Sequence, residues 1–414
     1  MAVDLRQVMA AFLTFSMFAM LGNMIKKDHI DPLLEPLPES PTVQYGDLKV
    51  SKPAMLKKLT EMNYGPWLEQ DEAVRPCSKK STLKGKEQVD GYVFFSLTHL
   101  PEYHASQIAN AIVVARHLGA TLALPDIRGD KEGVKMNFGE VYDVDTFLES
   151  LGGVVRVDKN PSAELLDARL PIVQVPNRVS EEYISSKIKP IFQRRRNIKI
   201  VTYFNSSVMM KGQSNAYQCL AMFESLKLQP GLQELADSML GTLRSLSTKM
   251  HGRFIAIDLM VETTGNKTCQ ETDNVSKKCS NAQEIGEFLK RIGFHTSTTI
   301  YLTQSGWHNS LNALRDIFPN SFVKDAIMPA DEKVKFMDLK SRGYERYIDF
   351  YMCTQGDVFV PAFQSKFYES VVGKRIGLGK TQIFLPHKST SELASDYISP
   401  YVANKSHFAY SCLC

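Results

Sequence analysis

Tyr92, Val93, Phe94, Phe95 and Leu97 make an apolar run of strand length. A loop over residues 98–105 follows, and Ser106 is placed to cap a helix. Beyond it Ile108, Ala111, Ile112, Ala115 and Leu118 recur at the spacing of one buried stripe, which predicts a helix. Gly119 stands where that helix should stop. Residues 121–125 then predict a second strand. Strand, helix and strand within about 35 residues form a βαβ unit, which requires a parallel sheet. Further strands are expected at 153–157 and 198–203.

The same alternation returns later in the chain. Residues 253–259 predict a strand. Residues 281–292 predict a helix, with Asn281 and Glu284 spaced as a capping box and Ile285, Phe288, Leu289 and Ile292 on one face. Strands are expected at 298–303, 357–360 and 381–385, and helices at 311–318 and 367–372. The expectation is an α/β protein of two Rossmann-like lobes facing a cleft, over residues 56–245 and 246–414. Ligands of such sheets sit beyond the carboxyl ends of the strands.

The first residues follow another pattern. None of residues 8–25 is charged, and only Thr14, Ser16 and Asn23 are polar. As a helix this stretch covers roughly 27 Å, near the hydrocarbon thickness of a bilayer. Lys26 and Lys27 end it. A cleaved signal peptide is the competing reading, but the stretch is long for one and no small-x-small site follows. The expectation is a cytoplasmic tail over 1–7, a transmembrane anchor over 8–25 and a stem over 26–55. Pro32, Pro36, Pro38 and Pro41 keep the stem extended.

The flanking charges do not orient the anchor, since Arg6 precedes it and Lys26 and Lys27 follow. Asn-x-Ser/Thr sequons at Asn205, Asn266, Asn274 and Asn404 argue for a lumenal C-terminal part. Cys269 and Cys279 lie in a polar loop over 263–280, where a disulfide would need an oxidising compartment. Seven cysteines cannot all pair within the chain. Cys219, in an apolar run, reads as a buried thiol, while Cys353, Cys412 and Cys414 leave several pairings open.

Composition excludes some classes. The 414 residues suffice for two domains, and 43% hydrophobic content is that of a globular chain. A net charge of +4, from 49 basic and 45 acidic residues, is too mild for a nucleic-acid partner. Arg194, Arg195, Arg196 and Lys199 form the one dense basic run and read as a solvated face.

Several segments carry a resemblance: residues 107–125, Phe318-Pro319-Asn320, Asp349-Phe350, residues 357–361, Gly373-Lys374-Arg375 and Leu378-Gly379-Lys380. In this order the chain resembles the plant O-fucosyltransferase-like glycosyltransferases over roughly residues 90–390. Residues 328–331 and 396–401 point to the branch concerned with mannan synthesis. The resemblance implies a GT-B fold and a Golgi type II membrane glycoprotein. It implies hexosyl or fucosyl transfer from a nucleotide sugar, a GDP-sugar, in mannan or glucomannan synthesis for the cell wall. It further implies no cofactor or metal, a polysaccharide or glycan acceptor, and a mannan synthase as partner.

Many members carry His-x-Arg-x-Glu at the end of the second lobe's first strand. Here the histidine position is Asp258, the arginine position Met260, and the acid Glu262 remains. Methionine neither neutralises a diphosphate nor offers forked donors. Sugar transfer requires stabilisation of the leaving diphosphate and, for many acceptors, a base. Asp258 and Glu262 are the catalytic candidates, with ribose binding, helix capping or a loop salt bridge as other roles. Asp357, Lys366, Lys374 and Arg375 are candidates for the nucleotide sugar. His99, Glu102 and His104 occupy the loop after the first strand, on the acceptor side. A second reading, a catalytically reduced scaffold or chaperone for a mannan synthase, rests on Met260 and on the absent glycine-rich turn.

Overall fold

The computed structural model describes residues 66–67, 90–129, 133–162, 165, 169–204, 216–259, 280–333, 343–387 and 391–413. All belong to the unit Met62–Cys414. The expected tail, anchor and stem lie outside the described residues. Among the described residues no helix is long and apolar enough to cross a membrane.

The first lobe is built on a seven-stranded sheet: β1 (Tyr92–Leu97), β2 (Thr121–Ala123), β3 (Asp126–Arg128), β4 (Lys135–Asn137), β5 (Val157–Asp158), β6 (Ile172–Pro176) and β7 (Asn197–Tyr203). β1 is the hub, parallel to β7, to β2 through Val93 and Leu122, and to β3 through Leu97 and Ile127. Only the β3–β4 pair is antiparallel. The βαβ expectation holds: α1 (His104–Leu118) joins β1 to β2 and buries Ile108, Ala111, Ile112, Ala115 and Leu118. Gly119 closes it at φ 69°, where a Cβ would strain the backbone. The longer of the other helices in this part are α2 (Val144–Leu151), capped by Asp143, and α3 (Pro230–Leu246), capped by Gln229.

The second sheet runs β10-β9-β8-β11, all parallel, with β8 at Phe254–Asp258, β9 at Thr299–Leu302, β10 at Ser321–Phe322 and β11 at Val358–Pro361. Its strands are apolar on both faces because both are covered. Ile255, Ile257, Ile300 and Val360 pack with Ile285, Phe288 and Leu289 of α4 (Ala282–Arg291). The Asn281–Glu284 capping box forms as the spacing predicts. The short α5 (Asn312–Ile317) packs beside α4. Phe254, Ala256, Tyr301 and Phe359 face the opposite way, into a core that continues through α6 (Glu345–Gln355) and α7 (Lys366–Gly377) into the first lobe. The lobes share one apolar core, so the carboxyl ends of β1 and β8 close on each other.

Three expectations need correction. Residues 381–385 form single bridges, Phe359 with Ile383 and Phe384 with Ile398, instead of a strand. The strand expected over 153–157 is confined to Val157–Asp158. Cys219 is no thiol: it is disulfide-bonded to Cys412, which ties the first lobe to the end of the chain. Cys353 is free and buried, while Cys269, Cys279 and Cys414 lie outside the described residues.

Candidate functional site

Asp258 ends β8 with no exposed surface. Its Oδ1 accepts a hydrogen bond from Thr303 Oγ1 at 3.0 Å and lies 3.2 Å from Arg346 Nη1. Arg346 is carried by the first turn of α6, and its guanidinium lies 3.5 Å over the Phe367 ring. Its other amino group, Nη2, is 3.6 Å from Glu102 Oε1. Glu102 belongs to the single turn Pro101–Tyr103 that follows β1, where Pro101 presets the backbone. Ser370 of α7 donates to the Glu102 carbonyl at 2.8 Å and holds that turn against the second lobe. One arginine thus joins two carboxylates from the carboxyl ends of two sheets.

Electrostatics set the character of the group. Burial raises the carboxyl pKa of Glu102, against the pull of Arg346. Burial likewise raises that of Asp258, opposed by Arg346 and the Thr303 hydrogen bond. Burial works against the charge on Arg346, but Asp258 and Glu102 hold its pKa above the ordinary value. Glu102 Oε2 and Asp258 Oδ2 are buried without a hydrogen-bond partner. Beside the triad, Lys324 and Asp349 form a buried pair at 2.6 Å, and Tyr301 donates to the same carboxylate at 2.7 Å.

A cavity of about 500 Å³ opens from Glu102 along the seam between the lobes. Tyr347, Phe350, Tyr351 and Thr354 wall it from one face of α6, and Ser370 and Lys374 from one face of α7. Tyr142 and Met222 close the first-lobe side. Burial lowers the Lys374 amine to about 8, with help from the neighbouring charge of Lys227.

The residues singled out in the sequence separate into several environments. Asp258, Glu102 and Lys374 meet the triad or the cavity. His99 is exposed. His104 is fully buried at the start of α1, bonded to Tyr142 Oη at 2.8 Å and to the Thr98 carbonyl at 2.6 Å. Burial pushes its ring down to about 4, so it is neutral at physiological pH and holds the loop in place.

Arg375 corrects the diphosphate expectation. It is fully buried, and its guanidinium donates to the carbonyls of Cys353, Gly356, Asp357 and Gln382. It therefore clamps the approach to β11. Asp357 lies at the amino end of β11, the edge away from Asp258, and accepts from the Phe254 N–H at 3.0 Å. Lys366 starts α7 and pairs with Glu369 at 2.7 Å. Asn404 is exposed. Met260, Glu262, Asn205, Asn266 and Asn274 lie outside the described residues.

Arg346 and Thr303 were missed. The available signal was Arg346, Asp349 and Cys353 at i, i+3 and i+7, opposite charges and a thiol on one face of a helix. Among the described residues no three His, Cys, Asp or Glu side chains converge to hold a metal ion.

The comparisons follow the same outline. The family described as GDP-fucose protein O-fucosyltransferase matches residues 103–377, from the turn carrying Glu102 to the end of α7. The chain is 47% identical to Protein MANNAN SYNTHESIS-RELATED 2 of Arabidopsis thaliana over the whole of both chains. It is 42% identical to Protein MANNAN SYNTHESIS-RELATED of Trigonella foenum-graecum, again over the whole of both. Among solved structures, POFUT1 in complex with GDP matches 72% of this chain and 98% of its own, at 11% identity and a TM-score of 0.44, a likeness too distant to speak for any residue. The full-length identities and the match across both lobes show that this chain belongs to the GDP-fucose protein O-fucosyltransferase family, with the mannan synthesis-related proteins.

Proposed function

We propose that this chain is a glycosyltransferase of mannan or glucomannan biosynthesis that takes its sugar from a nucleotide sugar, a GDP-sugar, and passes it to a glycan acceptor. The observation that carries this reading is Glu102. Its carboxyl is raised by burial, one oxygen has no partner, and an arginine fixes its position at the carboxyl end of β1. A carboxyl of this kind is suited to take a proton from an acceptor hydroxyl. Asp258 then serves as the anchor of Arg346, since its own carboxylate is enclosed. Glu102→Gln is expected to slow transfer about a hundredfold with GDP affinity unchanged, measured as turnover beside a binding titration.

The mannan assignment draws on what the relatives' names say of them. A type II Golgi membrane protein, anchored through residues 8–25 and glycosylated at its sequons, is the matching cellular reading. The Cys219–Cys412 disulfide supports its lumenal part, because such bonds persist in oxidising compartments.

The scaffold reading has its own support. Arg346 is already matched by two carboxylates and Lys366 by Glu369, and Arg375 serves the backbone. None of these three cations stands ready for a diphosphate. In this reading the chain supports a mannan synthase without transferring sugar. Calorimetric titration of the full-length protein with GDP separates the two. Millimolar or tighter binding is expected; no heat in that range would sink the transferase reading and leave the scaffold.

A further inference from the structure

The seam cavity has an apolar interior and a cationic mouth. Ser370, Lys374 and Leu378 stand at i, i+4 and i+8 along α7 and form one stripe of its wall. The stripe starts at the Glu102 carbonyl, to which Ser370 donates, and ends at Leu378, which keeps 51% of its surface. Lys227, also exposed, belongs to the same mouth. Tyr142, Met222 and Tyr347 wall the inner end and are almost fully buried.

The polar groups of the inner wall are spent within the protein. Tyr142 Oη is bonded to His104 Nδ1 at 2.8 Å, and Thr354 Oγ1 donates to the Tyr351 carbonyl at 2.7 Å. Glu102 is held by Arg346, and Tyr347 Oη is enclosed, with no surface to offer a ligand. A ligand rich in hydroxyls would give up its water there and gain few hydrogen bonds, which is costly. An alkyl chain has no such bonds to lose, and its burial is favourable.

The mouth differs. Among the described residues no hydrogen bond or ion pair engages the amino group of Lys374 or of Lys227. The two charges repel each other. Lys227 also acts on Asp143, but that carboxylate is occupied in capping α2, accepting from the Thr146 N–H at 2.9 Å. Two unneutralised cations beside low-dielectric walls concentrate a positive field where the cavity opens. The volume of about 500 Å³ lies in the ordinary range of small-molecule sites.

We propose that the seam cavity binds a single-chain anionic amphiphile, with its alkyl chain against Met222, Leu226 and Phe350 and its phosphate or carboxylate head on Lys374 and Lys227. The site uses neither Asp258 nor the proton-accepting oxygen of Glu102, so it stands apart from the transferase reading. A lipid phosphate and a fatty carboxylate share the chemistry that it recognises.

The test is a calorimetric titration of the full-length protein with decyl phosphate, decanoate, decanol and inorganic phosphate. It is repeated on the double variant Lys227→Met with Lys374→Met, so that unspecific uptake of the chain cancels. At least one decyl anion is expected to bind with a Kd of about 10–100 µM, and decanol and inorganic phosphate at least about tenfold more weakly, since each lacks one half of the match. Tighter binding of decyl phosphate marks a phosphate head, tighter binding of decanoate a carboxylate, and equal binding the shared charge alone. The double variant is expected to lose at least about tenfold in anion affinity, whereas Lys227→Arg with Lys374→Arg retains it. Ala105→Leu, which extends a side chain of the wall into the cavity, is expected to weaken the decyl ligands several-fold. Decanol or inorganic phosphate binding as tightly as the best decyl anion would overturn the proposal. So would undiminished anion binding in the methionine double variant or in Ala105→Leu, or no binding of either decyl anion at about 1 mM. The GDP titration is read separately, so either idea can fail alone.

Discussion

Arg346→Met is expected to lower the stability of the fold by about 3–5 kcal/mol, the usual cost of removing one partner from a buried ion pair. The side chain touches Asp258, with no exposed surface, and Glu102, with 8%. Methionine keeps much of the packing on Phe367 but leaves two buried carboxyls without a cation. The pH dependence identifies the cause. Both carboxyls already have raised pKa values in the folded protein, and losing the guanidinium raises them further. A raised folded pKa means that the native state holds more protons than the unfolded chain between the two values. Stability therefore falls as pH rises through that window. The deficit of Arg346→Met should be largest at neutral pH and shrink toward the ordinary carboxylate value, about 4. Arg346→Lys, which keeps charge but not the fork, should fall between. Urea unfolding between pH 4 and 7.5 measures this. A deficit that does not change with pH would mean that lost packing, not charge, is responsible.

The second large effect concerns the Cys219–Cys412 disulfide. It closes a loop across a sequence separation of 193 residues. The chain-entropy argument gives such a loop about 5 kcal/mol, a ceiling that measured disulfides seldom reach. Replacing both cysteines by serine is therefore expected to cost about 2–5 kcal/mol, seen as a lower urea midpoint. The loss should start locally. The short turn Phe408–Cys412 packs against α7 through Ala409 and His407, and it hangs from the chain end. Limited proteolysis should cut there before the sheets open. A double variant as stable and as protease-resistant as the parent would show that packing alone holds the end of the chain.

These two expectations rest on contacts that local pattern does not display. Strand β1, helix α1, Gly119 and the capping box on α4 follow from periodicity and end signals within a few residues, so they were legible. The two-sheet parallel architecture followed from their alternation. Strand β6 escaped because its buried face shows only Val173 and Val175, alternating with the exposed Ile172 and Gln174 and ending at Pro176, too short a pattern to stand out. Helix α6 escaped because charged and aromatic residues alternate around Arg346 and Asp349 without one dominant stripe. Arg375 was misread for a related reason. A guanidinium in a helix looks the same in sequence whether it meets phosphate or carbonyls, and only the approach of residues 353–357 and Gln382 decides.

The sequence by itself determined the parallel α/β grammar, the family and the placement of Asp258 and Glu102 near strand ends. The α/β grammar and those placements depend on side-chain period and backbone preference, which act between neighbours in the chain, and the family on the order of its matching segments. The tertiary structure alone decided that Arg346 joins Glu102 to Asp258, that Cys219 meets Cys412, and that Lys374 faces a seam cavity. These pairings span 88 residues between Asp258 and Arg346 and 193 between the cysteines. They depend on how the two sheets share one core, a property of packing to which no local stretch of sequence refers.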